Sequence, residues 1–163
     1  MSDYYVKHLT VALPLAAASA VVDHALRIGR ENAMLPLTVA VLDAGGNLLA
    51  FKREDGSGIM RGDIASGKAW GALGMGLSSR TIRNRLADRP SFQASLAAVS
   101  QGRFVPVPGG VLICGADGAV VGAVGISGDA SDKDEYAAVE AVKAAGLTPY
   151  PSEPADDWAE AGL

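Results

Sequence analysis

A few charged or titratable side chains stand in apolar surroundings, and each could do chemistry. Lys68 lies in RGDIASGKAWGALGMG, where Ile64, Lys68 and Ala72 share one helix face at i, i+4 and i+8. An ammonium among small and apolar residues needs an anion. A ligand carboxylate or a structural Asp or Glu would serve. A buried lysine with a lowered pKa can also act as a base, whereas a surface lysine merely lays its stem over apolar neighbours. Asp43 ends the run LTVAVLD, and Arg53 nearly ends LLAFKRE. The two could pair across a hairpin. Alternatively, Asp43 is an acid/base group and Arg53 clamps a carboxylate bidentately. His24 sits beside Val21, Ala25 and Ile28, as a metal ligand or as a histidine at the core's edge. Pro108-Gly109-Gly110 and the turn Gly125 to Gly128, with Ser127 and Gly128 in it, either present backbone N–H groups to an anion or are plain turns.

The elements that must position these residues follow from periodicity and punctuation. Thr10 to Asn32 carries an apolar stripe at helical spacing, with Pro14 placed in its first turn. Leu37 to Asp43 and Leu48 to Glu54 read as strands joined by Ala44-Gly45-Gly46-Asn47, the clearest hairpin in the chain. Arg61 to Gly76 reads as a helix so rich in Gly and Ala that another backbone must approach it closely. Short helices follow at Ser78 to Leu86 and Pro90 to Ser100. A second hairpin joins Val111–Cys114 to Ala119–Ser127, with Gly122 and Gly125 marking a close helix. A last helix runs from about Lys133 to Ala145, with Asp132 as its cap and Glu135 completing a capping box. Asp132, Asp134 and Glu135 together read as capping and dipole complementarity. Arg80, Arg83, Arg85 and Arg89 read as a solvated or intersubunit face, and Cys114 as a small buried hydrophobe. Helix, hairpin, helices, hairpin, helix is an α+β order with antiparallel pairs, in one domain over residues 1–147. Residues 148–163, with three prolines, read as a C-terminal tail that is mobile or lies on a neighbouring subunit.

Four stretches, in order and covering most of residues 10–147, carry a family resemblance: PLTVAVLDAGGNLLAFKREDG, DIASGKAWGAL, VPVPGGVLI and GAVVGAVGISGDASDKDEYAAVEA. Together they resemble the GlcG/HbpS family. The resemblance implies a PAS- or profilin-like fold, a central antiparallel sheet flanked by helices. It implies a homo-oligomer, often an octamer. It also makes haem a candidate cofactor, as in the similar C-terminal domain of PduO-type proteins. On that reading His24 is the candidate axial ligand, and a haem propionate joins the anions that Lys68 could meet.

Composition narrows the alternatives. The 163 residues suit one domain, and an apolar content of 49% supports an extensive core. A net charge of −4, with no basic run interleaved with aromatics, argues against nucleic acid. One cysteine excludes a disulfide framework and a CxxC zinc site, and two histidines argue against a multi-histidine metal centre. No visible signal peptide or spanning segment points to a cytoplasmic protein without membrane partners. Three functions remain. The first is an oligomer that binds a small anionic molecule, such as haem, between the Lys68 helix, the PGG loop and the GISG turn. The second is a catabolic enzyme (isomerase or tautomerase, hydratase or hydrolase) acting on a small carboxylic acid through Lys68 or Asp43 with Arg53. The third is an oligomeric accessory protein.

Overall fold

A computed structural model describes residues 6–163. The helices are α1 (Leu15–Glu31), α2 (Arg61–Met75), α3 (Ser79–Leu86), α4 (Pro90–Val99) and α5 (Ser131–Ala144). The strands are β1 (Thr38–Asp43), β2 (Leu48–Arg53), β3 (Gly110–Cys114), β4 (Val120–Ser127) and β5 (Thr148–Tyr150). All five strands form one antiparallel sheet in the order β2-β1-β4-β3-β5. The protein is therefore an α+β fold with a central antiparallel sheet between helices.

Side chains alternate across the sheet, so its two faces carry different cores. Val39, Val41, Val111, Ile113, Val124 and Ile126 point to α1 and α5, forming the main core with Val21, Ala25, Ala138 and Val142. Leu42, Leu112 and Ala123 point the other way, against Ala69 and Ala72 of α2. That second layer is thin because α2 lies almost on the strands. A Cβ on Gly125 would collide with the Ala65 carbonyl, so the strand can accept only glycine there. The Gly- and Ala-rich composition of α2 thus reflects backbone approach, as its sequence suggests. Gly122 differs: its neighbours are the Leu42 carbonyl and Leu13, not a helix.

Three local expectations are corrected. Pro14 is the N-cap of α1 rather than a member of its first turn, and its carbonyl accepts the Ala18 N–H at 3.1 Å. Helix α5 starts at Ser131 with Ala130 as N-cap and no side-chain cap, so Asp132 and Glu135 form no capping box. Asp134 and Glu135 are instead fully buried. Residues 148–163 lie along the domain itself: β5 pairs with β3, and Trp158 stacks on Tyr136 of α5 with ring centroids 3.5 Å apart. Helix α4 is apolar in composition yet has no buried residue. Among the described residues no helix is long and apolar enough to cross a membrane.

Candidate functional site

The Lys68 helix, the PGG loop and the GISG turn do meet, at the end of the sheet where β3 begins and β4 ends. Lys68 is 2% exposed. Its Nζ donates to the Ile126 carbonyl at 2.8 Å and to Asp134 Oδ2 at 3.0 Å. Oδ1 of Asp134 accepts the Asp129 N–H at 3.0 Å. The lysine thus reaches past the sheet's end and ties α2 to the start of α5. The anion it needs is supplied from within the chain. Gly109 makes room for it: its φ of +121° suits glycine, and a Cβ there would lie 2.9 Å from Nζ. Gly110 packs on the Lys68 backbone and donates its N–H to Ser79 Oγ at 2.7 Å, while Ile126 N–H donates to the Gly109 carbonyl. Ser127 Oγ accepts from Arg61 at 3.1 Å, and Gly128 is pressed against the Pro36 carbonyl. Pro108 is buried beside them.

Burial dominates the electrostatics of this junction. It pushes the Lys68 ammonium below its ordinary range, with Asp134 opposing the shift. It lifts Asp134 to about 6, with Lys68 pulling the other way. A second pair lies alongside. Arg80 Nε donates to Glu135 Oε2 at 3.1 Å, and burial raises Glu135 despite that arginine. Arg80 therefore belongs to a buried pair and not to a purely solvated face. Arg83 approaches Asp132 at 3.8 Å.

Asp43 and Arg53 are not brought together. The β1–β2 register sets Arg53 opposite Thr38, at the far end of the hairpin from Asp43. Asp43 Oδ1 accepts the Gly45 and Asn47 N–H groups at 2.9 Å each, and Asn47 Nδ2 adds two more contacts. This carboxylate holds its own turn. Arg53 is exposed on β2, the edge strand. His24 is half-buried on α1, across the sheet from α2. Its Nδ1 lies 3.4 Å from Arg27 Nη2. Arg27 and Ile28, one helical turn on, line a cavity of about 440 Å³ between α1 and α5 that also includes Tyr136 and Lys143.

On the opposite face a cleft of about 450 Å³ opens between α2, the β1–β2 turn and residues 101–103. Leu42, Leu48 and Trp70 give it apolar walls, and Asp63, Ser66 and Arg103 give it polar groups. The Arg103 guanidinium carbon lies 4.1 Å from the centroid of the Trp70 ring. Sequence reasoning missed Trp70, Arg103 and Asp134. Trp70 was legible as the one large aromatic in a helix of small residues. Arg103 lies in the polar run SQGR, which carries no motif, and Asp134 was hidden among acidic residues that explain themselves as helix-start chemistry. Among the described residues no group of three or more His, Cys, Asp or Glu could hold a metal ion.

Comparison with known proteins adds the following. The family model described as "Haem degrading protein HbpS-like" matches residues 13–143. The uncharacterized 15.0 kDa protein of the dhaT–dhaS intergenic region of Citrobacter freundii is 31% identical over 134 residues, covering 82% of this chain and 89% of that protein. The crystal structure of a PduOC–haem complex superposes with a TM-score of 0.75 at 25% identity, covering 84% of this chain and 97% of that one. A variant of Streptomyces reticuli HbpS gives a TM-score of 0.66 at 26% identity, covering 89% and 91%.

Proposed function

Since the chain belongs to the GlcG/HbpS family, we propose that it is a haem-binding protein in which His24 is the ligand to the iron. The observation that carries this reading is the half-buried His24 imidazole, which lies 3.4 Å from Arg27, a residue of the α1–α5 cavity wall. The cavity wall supplies apolar and aromatic surface from Ile28 and Tyr136 and cations for two carboxylates from Arg27 and Lys143, beside the acids Glu31 and Glu140. The His24 nitrogen, which suits haem iron, lies one helical turn from that wall, next to Arg27. Bound haem would supply a redox-active iron whose behaviour depends on its axial ligand.

Each protein group has a definable task. Arg27, as a donor to Nδ1, leaves the imidazole proton on Nε2. Ligation through Nε2 needs the other tautomer, in which Nδ1 carries the proton. Arg27 must then turn away, toward Glu31, which it already meets at 2.8 Å, or toward a ligand carboxylate. Lys143 is shared between Glu140 and Glu153, so binding an anion there competes with two carboxylates. We further propose a homo-oligomer, which would cover side chains as apolar and exposed as Ile59 and Met60. The PduOC–haem complex and HbpS support the haem reading by likeness.

Titration of the purified protein with hemin tests it. The expected outcome is a saturable, shifted Soret band that is lost or displaced in His24→Ala. A band unchanged by that substitution would refute the His24 assignment, and no band at all would refute haem binding.

A further inference from the structure

We propose that the cleft on the α2 face is a second binding site, separate from His24, that takes a small planar carboxylic acid. The site lies across the sheet from α1, so the inference does not rest on haem.

The cleft is built by close packing. Gly46, at φ +82°, places the β1–β2 turn against the Trp70 indole, and a Cβ there would lie 3.2 Å from its Cδ1. Gly67 lets residues 103–105 close on α2 from the other side, since its Cβ would lie 2.6 Å from the Arg103 carbonyl. Asp43 holds the first wall by fixing the turn that carries Gly46. The resulting space, about 450 Å³, is in the range of small-ligand sites.

Its chemistry selects the ligand. Arg103 Nε donates to the Ser100 carbonyl at 3.0 Å, and the guanidinium rests on Trp70. Arg103 forms no ion pair among the described residues, although a guanidinium fork fits a carboxylate bidentately. Lys68, one helical position from Gly67, has its carboxylate supplied by Asp134, whereas Arg103 faces an open cleft whose one acid, Asp63, makes no ion pair with it. A conjugated acid keeps its carboxylate and its ring in one plane. One such molecule can therefore meet the fork and lie against the indole and the leucines. Asp63 and Ser66 can accept from a hydroxyl or amino substituent on it.

The experiment uses the full chain carrying Trp158→Phe, so that Trp70 is the sole tryptophan, with benzoate, cyclohexanecarboxylate and benzyl alcohol as probes. Benzoate is expected to change Trp70 emission saturably. The non-planar acid and the neutral aromatic alcohol should each bind at least about tenfold more weakly, as should benzoate to Arg103→Met. His24→Ala should leave benzoate binding unchanged, and Arg103→Met should keep its hemin response and its melting temperature. The proposal is overturned if benzoate shows no saturable binding at millimolar concentration by fluorescence or calorimetry. It is equally overturned if Arg103→Met binds benzoate as well as the parent does, or if benzyl alcohol binds equally. Loss of hemin binding in His24→Ala with benzoate binding intact separates the two sites.

Discussion

Two cations work against helix α2, and they end in opposite states. Lys68 points from the helix into the protein, where Asp134 and the Ile126 carbonyl satisfy it. Arg103 approaches the same helix beside Gly67, stacks on Trp70 and has no carboxylate of its own. The first is a fastener between α2 and α5, with Gly109 packed against its ammonium so closely that a Cβ there would lie 2.9 Å from Nζ. The second stands at the mouth of a space. Lys68, buried, must find its anion within the chain, whereas Arg103, exposed at the cleft, stays free to take one from a ligand.

Removing the cation from the closed site should have the largest effect. Lys68→Met leaves Asp134 buried without its partner, and a buried pair broken on one side costs about 3–5 kcal/mol. The double variant Lys68→Met/Asp134→Leu should recover most of that loss, because an apolar replacement of both partners removes the desolvation of two charges. Urea unfolding of the three proteins measures it. A single variant as stable as the wild type would place Lys68 outside the fold's essential contacts and break the comparison with Arg103. Arg103→Met, by contrast, should leave unfolding nearly unchanged.

The same junction should give the protein a pH signature. Asp134 has its pKa raised from an ordinary 3.8 to about 6, chiefly by burial. The folded state therefore holds this proton more tightly than the unfolded chain does. The stability it contributes is fully present below about 3.8 and is lost as pH rises through about 6. The difference in unfolding free energy between the wild type and Asp134→Asn should fall across that window. A difference that rises with pH instead would mean that Lys68 outweighs burial and holds the carboxylate charged.

The strands and helices were legible because their signals are local: alternation in LTVAVLD, turn glycines, and an Ala- and Gly-rich helix that makes sense only under another backbone. The junction was half legible. Lys68 stood out, but Asp134 lies 66 residues away among side chains that look like ordinary helix-start acids. Asp43 and Arg53 look like partners at two strand ends, yet the register of an antiparallel hairpin sets those ends apart. Residues 148–163 looked like a tail because prolines suppress strand signals, although Pro149 pairs with Ile113 within β5 at the sheet's edge. The α2 cleft left almost no trace, since its walls come from a turn, a helix and a loop whose meeting is a property of the packing.

The smallest expected effect separates backbone from contact at that cleft. Gly46 and Gly118 both sit in hairpin turns at φ +82°. A methyl group on the first would face Trp70, whereas one on the second would have nothing within 4 Å. Replacing either by Ala puts an L-residue at positive φ and should cost about 1 kcal/mol. Only Gly46→Ala also meets Trp70, at 3.2 Å from Cδ1 and 3.3 Å from Nε1. It should shift Trp70 emission and weaken benzoate, whereas Gly118→Ala should do neither. Equal stability losses with a change in emission at Gly46 alone would mean that the turn's contribution to the cleft is steric. Emission changes of the same size in both variants would show that Trp70 reports general loosening of the fold, and the wall assigned to Gly46 would have to be withdrawn.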